Sequence, residues 1–157
     1  MPAAIGNNFN RAIGAQITAA DIAAGLGFLA LNLDLAAGQT ALISAIDMTI
    51  SVTGADYNNL LFVQVIIFKN INFNSSINLN SQLGAGTESL YNCFTSFLSE
   101  RVFHREWQSP LPLEGPGRYA VFGQAFFGPF VGPTTYGMNV MGRVVPSGSV
   151  QELPPLR

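Results

Sequence analysis

The chain holds one histidine, His104, and one cysteine, Cys93. A Ser-His-Asp or Cys-His relay would have to run through that histidine. Cys93 lies eleven residues upstream and could meet His104 only through the fold. No serine sits in a nucleophile elbow. A buried cysteine and a surface histidine are the commoner fates of these residue types, so neither is taken as catalytic.

Other chemistry is no better supplied. One His and one Cys cannot make a zinc set. Asp21, Asp34, Asp47 and Asp56 are scattered over turns and outward strand positions, with no Asp-rich loop for calcium. A glycosidase needs two carboxylates facing each other across a cleft. Glu100 with Glu106, or Glu88 with Glu114, could be paired on paper, but so could any acids. Neither a phosphate-binding P-loop nor a dinucleotide fingerprint is present. The expectation is a chain with no cofactor, no metal and no enzymatic activity.

What remains is charge and aromatic surface. Asp, Glu, Lys and Arg make up 10% of the residues, against about 25% in an average soluble domain. Glu100, Arg101, His104, Arg105 and Glu106 form the densest charged cluster. Exposed ion pairs contribute only about 0–1 kcal/mol each, so such a cluster would serve register and partner choice. Trp107, Tyr91, Tyr119 and Tyr136 could stack on sugar rings, or be core and subunit contacts. Charge is depleted at the centres of protein interfaces, so much of this surface is expected to face other protein. An Asn-rich coat on a free monomer is the alternative.

Net charge is −2, with seven basic residues against nine acidic ones. Gripping nucleic acid without sequence preference needs several Lys or Arg on phosphates, so no direct nucleic-acid partner is expected. No run reaches the ~18 apolar residues of a spanning helix. The start lacks the basic patch and apolar run of a signal peptide, which makes the Asn74-Ser75-Ser76 sequon a chance match. A lone cysteine forms no intrachain disulfide.

The elements that carry these residues read as strands. Leu29, Leu31, Leu33 and Leu35 alternate with Ala30, Asn32 and Asp34. Leu42, Ile46, Met48, Ile50 and Val52 share one face of the next run, with Ser44 the exception. The short turn at 37–39 predicts a hairpin between the two. Leu60 to Phe68 is apolar on both faces, so its second stripe, with Phe62, needs a cover: a loop, a helix or a neighbouring subunit. Asn70 to Asn80 alternates apolar residues with Asn, as an edge strand or hairpin would.

Thr87 to Ser99 is the best helix candidate, from Leu90, Phe94, Phe97 and Leu98 at helical spacing; a Phe-rich strand competes. Arg101 to Gln108 reads as extended, with Phe103 and Trp107 on one side. Residues 109–117 read as a turn-rich connection, and Arg118–Phe127 and Thr135–Val145 as strands. Gly123, Gly137 and Gly142 suggest bulges or close backbone approach. Ala12 to Thr18 is a further strand and Ala19 to Gly25 a short helix or turn.

Seven to eight short strands with regular turns predict an all-β antiparallel sandwich. Residues 1–11 are expected as an N-terminal arm, 12–145 as the sandwich and 146–157 as a tail. The run from Pro110 through Gly117 to Arg118-Tyr119-Ala120-Val121 resembles late strands of jelly-roll proteins, where a Pro-Gly turn leads into a Gly-x-Tyr strand. Small viral capsid and capsid-cement proteins and trimeric tumour-necrosis-factor-like domains share that style.

The resemblance covers the final third. It implies a single jelly roll that self-associates as trimers or larger rings, alone or with other capsid proteins. Cupin-like jelly rolls hold metal with several histidines, which this chain lacks. Without an export signal the viral branch is favoured over the secreted one. Without a basic arm, the expectation is a shell or cement protein of a virion, made in the host cytoplasm. A carbohydrate- or receptor-binding sandwich is the competing expectation. Candidate interface residues are Glu100, Arg101, His104, Arg105, Glu106, Trp107, Phe62, Pro154 and Pro155; the two prolines hold the tail extended and lower the entropy lost on docking.

Overall fold

Alternating apolar and polar residues carry the described part of the chain back and forth as eight strands. The computed structural model describes residues 7–52, 56, 58–69, 88–96 and 102–148. The strands are β1 (Asn7–Ile17), β2 (Phe28–Leu35), β3 (Gln39–Ser51), β4 (Leu60–Lys69), β5 (Glu88–Ser96), β6 (Val102–Glu114), β7 (Gly117–Phe127) and β8 (Thr134–Pro146). A short helix, α1 (Ala19–Ala23), follows β1.

Two four-stranded sheets result, which we call I and II: β1-β8-β3-β6 and β2-β7-β4-β5. Every pairing is antiparallel. First pairs with last, second with seventh, third with sixth and fourth with fifth. Of consecutive strands, only β4 and β5 are neighbours in one sheet; every other connection crosses to the opposite sheet. The predicted all-β sandwich is therefore what forms.

The core lies between the sheets. Sheet II contributes Leu29, Leu31, Leu33 and Leu35 from β2, Val63, Val65 and Ile67 from β4, and Tyr119 and Val121 from β7. Sheet I contributes Ile46, Met48, Ile50, Tyr136, Met138 and Val140. Gly123 on β7 leaves the space that Met48 fills: a Cβ there would lie 2.6 Å from its sulfur.

Local chemistry explains the details. Thr18 caps α1: its hydroxyl accepts from the Asp21 N–H, and the Asp21 carboxylate accepts from the Thr18 N–H. This reciprocal arrangement satisfies two otherwise orphaned donors. Ser44 breaks the alternation of β3 because the register shifts there against both neighbours. One extra residue in a bulge reverses which face the next residue takes. Ala41 and Ile43 therefore join the core with Ile46, where strict alternation would put Leu42. The Ser44 hydroxyl donates to the Met141 carbonyl at 3.1 Å.

Four expectations are corrected. β2 and β3 do not form a hairpin; their short turn passes from one sheet to the other. The proposed helix at 87–99 is strand β5 over its described part, laid along β4. The 109–117 connection is strand as far as Glu114, since β6 is an edge and an edge tolerates Pro110 and Pro112, whose missing N–H groups can face outward. The first strand begins at Asn7 rather than Ala12, because β8 pairs with it along its whole length. The single helix among the described residues is thus α1. The Asn70 to Asn80 run lies outside the described residues.

Candidate functional site

The predicted cluster divides. Glu100, Arg101, Pro154 and Pro155 lie outside the described residues. His104, Arg105, Glu106 and Trp107 stand on the edge strand β6, and alternation splits them between its two faces.

His104 and Glu106 share the face turned away from the core. Asp47 sits directly across from His104 on β3, and the Asp47 carboxylate meets the His104 Nδ1 in a hydrogen-bonded ion pair. Glu106 lies 3.9 Å from the Nε2. The Asp47 hydrogen bond and charge, with a smaller push from Glu106, raise the His104 pKa above its ordinary value. This partner stands 57 positions away, too far for any local pattern to reveal. Cys93 is half-buried against the core from sheet II, so the sandwich separates it from His104 and no relay joins them.

Trp107 faces the other way. Its ring meets Tyr91 of β5 edge-on at 5.2 Å between centroids, and Arg105 lies 5.9 Å from the centre of the same ring. Edge strands β5 and β6 belong to different sheets, so this aromatic pair bridges the sandwich along that side. Burial, with the Cys93 thiol adding, pushes the Tyr91 phenol up to about 12, and burial raises Tyr136 as well. Neither phenol is an acid or base near neutral pH. Among the described residues no group of three or more His, Cys, Asp or Glu could hold a metal ion. No described helix is long and apolar enough to cross a membrane.

Phe62 lies on the outer face of sheet II, stacked on Phe126 at 4.3 Å. Beside it runs a row of amides across three strands. Gln124 donates to Gln64 at 3.0 Å, and Gln64 donates to Asn92 at 2.9 Å. Next comes a second apolar cluster of Phe28, Ile66, Phe68, Ala120 and Phe122, with Leu26 and Ala30 against it. Phe122 is 0% exposed. The second stripe of β4 is thus covered within the chain, so this part of it needs no neighbouring subunit. Leu61 and Leu90, both exposed, sit at the two register shifts of β4 with its neighbours, where a bulged residue has no place in the ladder.

The Pro-Gly turn between β6 and β7 is a packing joint. The Tyr119 hydroxyl donates to the Glu114 carbonyl at 2.5 Å, closing the turn. The Gly115 N–H donates to the Gln39 carbonyl at 2.7 Å. A Cβ on Gly115 would stand 2.1 Å from the Ala36 carbonyl oxygen, so only glycine lets the turn rest on the one between β2 and β3. At the opposite end, buried Asp56 accepts from the Val131 and Gly132 N–H groups, both at 2.7 Å. Neither role was visible in the sequence.

No protein-family model and no curated protein matches this chain. Among solved structures it is similar to a chain of Desmodium yellow mottle tymovirus, at 15% identity and a TM-score of 0.33, over 92% of this chain and 90% of that one. At that distance no side chain is carried from one to the other.

Proposed function

We propose that this chain is a structural, non-enzymatic protein of a virus particle, which self-associates to build or reinforce the capsid. The observation that carries the reading is the scarcity of charge: Asp, Glu, Lys and Arg make up 10% of the sequence, against about 25% in an average soluble domain. Charge on the surface keeps a free monomer soluble and apart from wrong partners. Amide-rich strands such as Asn7–Asn10 suit contact with further protein instead.

The nested pairing of first strand with last, second with seventh, third with sixth and fourth with fifth is read as the winding of a jelly roll. Capsid, lectin and cupin domains use that architecture. A cupin-like metal centre finds no ligand set among the described residues. A lectin-like role would draw on Trp107, whose ring is already engaged by Tyr91 and Arg105. A capsid role needs neither.

In this reading residues 1–6 and 146–157, with Pro154 and Pro155, dock on neighbouring subunits, and other capsid proteins are further partners. Light scattering of the purified chain across a concentration series tests it. Trimers, hexamers or shells support the reading. A monomer at every concentration, alone and mixed with other capsid proteins, overturns it. A glycan screen with Trp107→Ala as control tests the lectin alternative; glycan binding lost in that variant would replace the capsid reading.

A further inference from the structure

The two open sides of the sandwich are built differently. On one side stand β5 and β6. β6 carries Pro110 and Pro112, and β5 carries a bulge at Leu90 and the acidic Glu88. Prolines, charges and bulges are the usual means of stopping an edge strand from pairing with another chain. On the other side stand β1 and β2. β1 runs for 11 residues without Pro, and Arg11 is its one charged residue. Its register with β8 is unbroken from Asn7 to Ile17. Among the described strands β8 is its only partner, and none of them forms a ladder with its outer row of N–H and C=O groups. An edge without proline or bulge, carrying a single charge, is a template for another strand.

We propose that β1 is a homotypic assembly edge, pairing antiparallel with β1 of a second copy about a two-fold axis at Ile13. This rests on the self-association reading and names its contact. The side chains choose the occupant and the register. A two-fold at Ile13 sets Phe9 opposite Ile17 of the second copy, Arg11 opposite Ala15, and Ile13 opposite itself. These residues share the face of β1 that packs toward the core. On the outer face it sets Asn10 opposite Gln16 and Ala12 opposite Gly14. Amide meets amide on the outer face, Ile13 meets itself on the inner one, Arg11 meets the small Ala15, and the two arginines do not face each other. A two-fold at Arg11 would put them directly opposite, which is unfavourable.

Phe9 also lines a cleft of about 310 Å³ between β1 and β2, with Leu33, Leu35 and Val144. An isologous contact of this type is self-complementary and closes. It joins the two copies of sheet I into one continuous sheet. Nine paired residues span roughly 30 Å at about 3.4 Å each. Such a contact is smaller than a standard stable interface, so the dimer forms reversibly.

The experiment reads sedimentation and light scattering of the full chain over a concentration series, with circular dichroism to follow folding. In Ala12→Lys with Gly14→Lys, lysine faces lysine across the two-fold; in Ala12→Glu with Gly14→Glu, acid faces acid. Each variant alone should shift dissociation to at least tenfold higher concentration, and an equimolar mixture should restore association as a heterodimer. Asn10→Lys with Gln16→Lys is the second variant should Gly14 not tolerate a side chain. Wild-type association unchanged in folded charge variants overturns the β1 contact and leaves the wider reading standing. A wild-type chain that is monomeric throughout overturns the β1 contact; the wider reading falls with it if other capsid proteins also fail to bind.

Discussion

The outer faces of the two sheets differ in kind. Sheet II is apolar on both sides along β4 and β7: Val65 and Val121 point into the sandwich, while Ile66 and Phe122 form a second cluster outside it. Sheet I carries Asp47, His104 and Glu106 on its outer face. Sheet II thus buries a second apolar cluster on its outer face, where sheet I carries an exposed ion pair.

The largest blow to this contrast is Phe122→Ala. The ring is fully buried, with Phe28 and Phe68 at 5.1 and 6.2 Å. Truncating a buried Phe costs about 3–5 kcal/mol, and urea denaturation should show a loss of that size. Gln64→Leu should cost less. It removes the centre of the amide row; Asn92 is exposed and Gln124 half-buried, so water can take the lost partner's place and the loss should be about 0.5–1.5 kcal/mol.

On sheet I the effect should depend on pH. The folded His104 pKa is raised by Asp47. The stability from that pair is fully present below the unfolded histidine value, about 6.5, and is lost as pH rises through the higher folded value. Denaturation of wild type and Asp47→Asn across pH should show their difference shrinking toward alkaline pH. Histidine NMR should show the His104 pKa lowered in the variant. A gap that widens above neutrality would break the account. Smallest of all, Leu61→Asp, at an exposed bulge, should stay within about 0.5 kcal/mol of wild type.

Strands and faces were legible because the side-chain period of two is written directly in residues such as Leu29 to Leu35. Strand neighbours were not. Periodicity says which face a residue takes, and nothing about which strand lies beside it. The short turn at 37–39 therefore suggested a hairpin where the chain changes sheets. β5 was misread for a local reason. Leu90 is bulged out of the ladder, which breaks the alternation and leaves Leu90 and Phe94 at helical spacing. β6 was half-read, because Pro110 and Pro112 signal a turn unless the strand is known to be an edge. At the site, His104, Arg105 and Trp107 stood out by type and density. Asp47, Asp56 and Tyr91 could not, since each acts on a residue brought close by the sheet pairing.

The nested winding also sets when the molecule can form. β8 is the last of the described strands to be synthesised, and it lies between β1 and β3 in the middle of sheet I. Until it arrives, β1 has no sheet neighbour and sheet I is no more than β3 and β6. Chains dominated by distant pairings fold slowly, and unpaired strands are prone to aggregate meanwhile. A deletion that removes β8 should therefore give insoluble material rather than a smaller folded core.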